Sequence, residues 1–102
     1  MAHEINDHIW VLIDLSFGHE CDVERSIKIQ GFIHGVIACF ASVDRFQEKG
    51  IEKAALGEFY RINFPGSWRN IVNSIASNIN SSEYQEGINL GVSEMENAAK
   101  FS

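Results

Sequence analysis

The chain has few of the cysteines that stabilise small secreted proteins, and it has no hydrophobic run of the length that spans a membrane. Its 102 residues include two cysteines, Cys21 and Cys39, which are too few for a disulfide framework and favour a reducing cytosol. The longest uncharged stretch covers residues 29–43 and is shorter than the ~20 mostly apolar residues of a transmembrane helix. The apolar run over residues 9–13 is too short for the core of a signal peptide. These absences predict a soluble, cytoplasmic protein without a membrane span.

Positive charge is scarce and unevenly placed. The chain has 8 lysines and arginines against 14 aspartates and glutamates, for a net charge of −6 and a pI near 5.0. Residues 1–24 contain no lysine or arginine. This balance disfavours binding to nucleic acid or an anionic membrane and permits a basic protein partner. The candidate partner-binding residues are the acidic ones of that segment: Glu4, Asp7, Asp14, Glu20, Asp22 and Glu24. A role in solubility alone is the simpler alternative.

Proline occurs once, at Pro65, and the composition is otherwise that of an ordinary globular protein. A chain of 102 residues suffices for one domain but not for two. We therefore predict a single domain over residues 1–102. Its fold class is predicted to be all-α, with four or five helices in a compact antiparallel bundle around a long second helix of about residues 23–48.

The helical prediction depends on the spacing of apolar residues. The clearest face belongs to the second helix, with Asp22 as its N-cap and Gly50 as its stop; it comprises Ile29, Phe32, Ile33, Val36, Ile37, Phe40 and Val43. The first element, about residues 7–17, also suits a buried strand. A third helix is predicted over about residues 52–62, and a fourth begins after a cap at Ser67. The last helix is predicted over about residues 83–100. A capping box of Ser82 and Gln85 would begin the last helix.

Four glycines interrupt these predicted helices in two matching pairs, Gly31 with Gly35 and Gly87 with Gly91. Each costs a helix interior about 1 kcal/mol relative to alanine, so the pairs need a reason. Residues four apart share one helix face, and two glycines there let another helix cross unusually close. The flanking residues also align, which suggests an internal duplication. The two glycine faces either meet within one chain or form the seam of a homodimer.

No motif for catalysis or ligand binding fits its context. The histidines are His3, His8, His19 and His34, and none stands at a recognised metal-ligand spacing. His34 and Cys39 lie five apart on a helix and therefore point apart. The paired glycines lie within helices rather than in a phosphate-binding loop. We therefore predict no enzymatic activity, no cofactor and no metal.

The aromatic residues near helix ends and turns allow two interpretations. They are Trp10, Phe17, Phe59, Tyr60, Phe64 and Trp68. The simpler interpretation is a lid over the core. The functional one is a patch that binds a partner, because tryptophan and tyrosine are favoured anchors in interfaces.

The lack of a catalytic or ligand-binding motif, together with the net negative charge, predicts a non-enzymatic acidic protein-binding module. Such a module would be a small inhibitor, an immunity-type antidote or a phage-style accessory protein that masks a basic partner. One alternative is a small dimeric DNA-associated regulator, with a helix-turn-helix over residues 54–69. Arg61 and Arg69 are available in that segment, but its second helix, from Trp68 on, bears one basic residue. A DNA-reading helix normally comes with a larger basic footprint. The other alternative is an accessory subunit of an enzyme.

Overall fold

The computed structural model describes the backbone of residues 3–43 and 51–100, and the side chains of residues 6–39 and 55–97. All regular structure in the described backbone is helical, which confirms the all-α prediction, and the ambiguous first element is a helix. The elements are α1 (His3–Phe17), α2 (Ile27–Val43), α3 (Ile51–Asn63), α4 (Trp68–Asn78) and α5 (Ser82–Lys100). The predicted extension of the second helix over 44–48 lies outside the described residues. No helix in the described part of the chain is both long enough and apolar enough to cross a membrane.

The second helix begins later than predicted because a separate turn precedes it. An Asp22 carboxylate oxygen accepts a hydrogen bond from the backbone N–H of Arg25 at 3.0 Å, so this side chain caps the turn. Ser26 takes the cap position of α2, and its hydroxyl oxygen accepts from the backbone N–H of Ile29 at 3.3 Å. The prediction that this helix starts at residue 23 is therefore wrong.

The start of α5 also differs from the prediction. The hydroxyl oxygen of Ser81 accepts a hydrogen bond from the backbone N–H of Tyr84 at 3.2 Å, so the cap lies one residue earlier than expected. The side-chain amide of Gln85 donates to the Ile79 carbonyl at 2.8 Å. That amide therefore engages the turn before the helix rather than Ser82. With the cap hydrogen bond made by Ser81, the predicted capping box of Ser82 and Gln85 does not form.

The glycine pair of α2 lies against α5. A Cβ atom added to Gly31 would overlap the carbonyl oxygen of Tyr84, and one added to Gly35 would overlap that of Ile88. Two helix backbones approach this closely only where no side chain separates them. The glycine face of α2 is thus covered by another helix of the same chain.

The glycine pair of α5 makes the same contacts in return. A Cβ atom added to Gly87 would overlap the carbonyl oxygen of Lys28, and one added to Gly91 would overlap that of Phe32. All four glycines are buried. Each helix therefore presents bare backbone to the bare backbone of the other.

The contacts advance in the same direction along both helices, so α2 and α5 run parallel. Near their N-termini Lys28 lies opposite Gly87, and further along both helices Val36 lies opposite Gly91. An antiparallel pair would reverse that order. The helical-bundle prediction is confirmed, but its antiparallel arrangement is wrong for this central pair, because α3 and α4 return the chain before α5 begins.

The crossing has a two-fold pseudo-symmetry. Gly87 stands 56 positions after Gly31, and the contact partner Tyr84 stands 56 positions after Lys28. The segments that align in the sequence are therefore equivalent in space. This equivalence is a second feature, besides the sequence match, that a duplication of one helical segment explains.

The core lies around α2, which contributes more buried apolar side chains than any other described helix. Its members come from all five helices and the loop before α2: Ile9, Leu12, Ile13, Val23, Ile29, Phe32, Ile33, Val36, Ile37, Ala55, Leu56, Phe59, Tyr60, Ile71, Ile75 and Tyr84. The Tyr60 hydroxyl donates to the Val23 carbonyl at 3.1 Å. This bond holds the end of α3 beside the loop that precedes α2.

Candidate functional site

A cleft of about 540 Å³ opens between α1, the loop after it and the end of α3. The loop exists because α1 stops at Gly18, whose φ of +84° suits a residue without a Cβ atom. The backbone N–H of Gly18 donates to the Asp14 carbonyl at 2.9 Å and closes the helix end. The described lining consists of Trp10, Val11, Ile13, Asp14, Gly18, His19, Cys21, Asp22, Val23, Glu24 and Phe64.

Aromatic rings form the apolar wall of the cleft. The Trp10 ring lies 5.8 Å from that of Phe59 and 6.3 Å from that of Phe64, measured between centroids. Phe59 is buried in the core, whereas the other two rings are half-buried and line the cleft. The core therefore supports the rings from behind while the cleft side stays accessible.

A hydrogen-bond chain fixes the Trp10 ring. Its indole N–H donates to the side-chain oxygen of Asn63 at 3.0 Å. The side-chain amide of Asn63 in turn donates to the Asn6 side-chain oxygen at 2.6 Å and to the Phe59 carbonyl at 2.8 Å. These hydrogen bonds join α1 to α3, so the ring is positioned before any ligand binds.

Three carboxylates line the same cleft. That of Asp14 lies 2.7 Å from the His19 ring nitrogen, and that of Glu24 accepts from the Ser67 hydroxyl at 2.9 Å. The third is Asp22, which caps its own turn. No lysine or arginine occurs among the described residues that line the cleft. No permanently charged cation within the described lining therefore balances its negative charge.

The structure brings together half of the predicted partner-binding residues. Asp14, Asp22 and Glu24 line the cleft, whereas Asp7 and Glu20 are exposed outside its lining. The remaining predicted residue, Glu4, has a side chain outside the described ones.

Val11, which lines the cleft, and Leu15 form an exposed apolar pair that was not predicted from the sequence. Val11 is 55% exposed and Leu15 is 75% exposed. They lie four residues apart, so they share one face of α1, and Asp7 precedes them on that face. The signal was present in the sequence, because these two positions fall off the buried stripe of Ile9 and Ile13.

The aromatic residues divide between the two interpretations. Phe59 and Tyr60 are buried in the core, and Phe17 packs edge-on against Phe32 with ring centroids 5.1 Å apart. Trp10 and Phe64 face the cleft. The same set thus supplies both core residues and rings that line the cleft. Partner binding by the cleft-lining rings stays a prediction.

The two cysteines are free. Burial, together with the carboxylate of Glu96, raises the pKa of the Cys39 thiol, so it stays protonated and weakly nucleophilic near neutral pH. Among the described residues, no group of three or more histidine, cysteine, aspartate or glutamate side chains could hold a metal ion.

The chemistry of the cleft suits a cation that carries an apolar stem. Carboxylates attract the charge and aromatic rings accept both the stem and the face of a planar cation. No family model, no curated protein and no solved structure matches this chain.

Proposed function

We propose that the protein is a non-enzymatic acidic binding module that masks a basic partner protein. The observation that carries the proposal is the cleft beside α1, where the carboxylates of Asp14, Asp22 and Glu24 line the same cavity as two aromatic rings. An inhibitor, an immunity-type antidote or an accessory protein of this kind would act by covering the partner's basic surface.

The neighbouring face of α1 supports a protein as the ligand. Protein interfaces combine apolar anchors at the centre with a polar or charged rim. Val11 and Leu15 supply exposed apolar surface, and Asp7 and Asp14 border it on the same helix. The cleft and this face together form one surface, which we call the α1 surface.

Charge complementarity supports a basic protein in particular. The chain carries a net charge of −6, and opposite charges on two proteins raise the rate of encounter by orders of magnitude at low salt. A second copy of this chain would place like charges face to face on the α1 surface. Nucleic acid would meet the same repulsion from its phosphates.

Charge reversal on the α1 surface tests the proposal. The immobilised chain first captures binding proteins from the source cells, and association is then measured by surface plasmon resonance with the purified partner. We expect Asp14→Lys with Asp22→Lys to lower the association rate more than tenfold. The change in dissociation rate should be smaller.

The matched control carries the same change of net charge elsewhere. Glu83 and Glu86 are exposed on α5, so Glu83→Lys with Glu86→Lys should leave the association rate within about twofold of the wild type. Equal slowing by both double variants would show that only net charge matters and would refute the assignment of the surface. Capture of DNA rather than protein at physiological salt would favour the regulator alternative.

A further inference from the structure

The cleft has the features of a receptor for one kind of side chain, and we propose that it binds an arginine of the basic partner. This inference rests on the proposed function and deepens it, because it names the group that the module recognises. The N–H groups of the guanidinium donate to the carboxylates of Asp14 and Glu24. Its planar face stacks on the rings of Trp10 and Phe64.

The aromatic wall suits a planar cation. The rings of Trp10 and Phe64 are inclined at 48° with their centroids 6.3 Å apart. Both line the cleft and remain partly exposed. A guanidinium stacks on such rings and is attracted by their π-electrons. Since Asn63 holds the indole through its N–H, little ordering of the ring is needed when the ligand arrives.

The carboxylates retain free acceptor capacity. Asp14 has a hydrogen-bonding neighbour in His19, and Glu24 has one in Ser67. An ionised carboxylate has about four lone-pair sites, so each group keeps sites for the N–H donors of a guanidinium. The part-buried hydrogen bond from Ser67 also positions the Glu24 carboxylate, which favours a paired hydrogen bond over a loose ionic contact.

Arginine fits these features better than lysine. A guanidinium is planar, presents five N–H donors and is more weakly hydrated than an ammonium group. A lysine could satisfy the carboxylates but could not stack on the rings of Trp10 and Phe64. The volume of about 540 Å³ falls within the range of pockets that hold small organic groups, so a side chain with its flanking backbone can enter.

The test uses small model compounds and needs no knowledge of the partner. N-acetyl-arginine methylamide is titrated into the isotope-labelled full chain, and the two indole N–H signals are followed by NMR. We expect saturable shifts of the Trp10 indole and of backbone amides between Gly18 and Glu24. Trp68 lies outside the cleft lining, so its indole signal should stay unchanged. The lysine analogue should bind several-fold more weakly, and the neutral citrulline analogue should produce no saturable shift.

Matched variants connect the binding to the carboxylates. We expect Glu24→Gln and Asp14→Asn each to weaken arginine binding by roughly three- to tenfold, because each keeps a hydrogen-bond acceptor but loses the charge. Glu83→Gln, on α5, should not change it, and thermal melts establish that all three variants are folded. Equal binding of arginine and citrulline analogues, equal binding of arginine and lysine analogues, or shifts outside the cleft would overturn the inference.

The two proposals fail separately. If the arginine compound does not bind but charge reversal on the α1 surface still slows association with the partner, the cleft inference is wrong and the binding module stands. If the compound binds the cleft but charge reversal leaves partner association unchanged, the proposed function is wrong.

Discussion

The two tyrosines of the chain, Tyr60 and Tyr84, are both fully buried with their hydroxyls engaged. The first donates to the Val23 carbonyl, and the second lies 2.8 Å from the Nδ1 atom of His34. Burial raises the pKa of both hydroxyls well above the ordinary value of 10.0, and for Tyr60 the nearby Tyr84 adds to the increase. Burial therefore favours the protonated form of both hydroxyls in the folded chain.

These raised pKa values predict a loss of stability in alkali. Well below pH 10 both hydroxyls are protonated in the folded and unfolded chains, so their titration does not change the free energy of unfolding. Above pH 10 the unfolded chain releases these protons and the folded chain does not. Each tyrosine then lowers the free energy of unfolding by up to ~1.4 kcal/mol per pH unit. Denaturant melts between pH 8 and about pH 11 should show this decline.

Tyrosinate absorbance near 295 nm provides an independent readout. We expect no tyrosinate signal in the native protein at pH 10–11, and a signal that rises only as helical circular dichroism falls. In denaturant the same groups should titrate near their ordinary value. Tyrosinate that appears while the helices remain intact would show that Tyr60 and Tyr84 are more accessible than their burial indicates.

At the scale of the helix, the effect of a glycine on stability depends on which atoms lie beside it. Gly57 is also inside a helix, α3, but a Cβ atom added there would meet no described atom within 4 Å. Gly35 and Gly91 instead face carbonyl oxygens across the α2–α5 crossing. The same substitution should therefore have opposite effects in the two settings.

We expect Gly35→Ala and Gly91→Ala each to lower the free energy of unfolding by about 1–3 kcal/mol, because the added methyl forces two backbones apart. Gly57→Ala should raise it by up to ~1 kcal/mol through helix propensity alone. The two crossing variants should resemble each other, since their contacts are equivalent. Urea denaturation of the three variants makes the comparison. Stabilisation of all three would contradict the close crossing.

The helix pattern of the chain was predictable because it depends on local spacing, but helix direction was not. The face of Ile29, Phe32 and Ile33 shows which side of α2 is buried, whereas nothing local records whether its neighbour runs parallel. The predicted first residue of α2 was wrong for a similar reason. Asp22 and Ser26 are both good caps, and the side chain that is used depends on the turn between them.

The candidate site was predictable only in part. Its acidic residues follow from the charge pattern of residues 1–24, and Asp14, Asp22 and Glu24 do line the cleft. The aromatic wall joins Trp10 to Phe64, which come from distant parts of the chain. A pairing of that kind depends on tertiary packing and leaves no trace in local sequence.

For the whole molecule, the coverage of both glycine faces within one chain predicts a fold that does not depend on association. We expect the urea midpoint to stay constant over about a hundredfold range of protein concentration, since the stability of a dimer depends on its concentration and that of a monomer does not. Size-exclusion chromatography with light scattering gives the mass directly. A midpoint that rises with concentration would favour the alternative in which the glycine faces form a homodimer seam.

The parallel crossing also imposes an order on folding during synthesis. The ribosome produces α2 well before α5, and the equivalent glycines of the two helices lie 56 residues apart. Local helices form within microseconds, but a contact between such distant segments must wait for a long loop to close. Until α5 has been made, the glycine face of α2 and the neighbouring Phe32 and Val36 have no cover from that helix. A nascent chain at this stage exposes an apolar helix that is prone to aggregation, and it is the stage at which a chaperone would be expected to act.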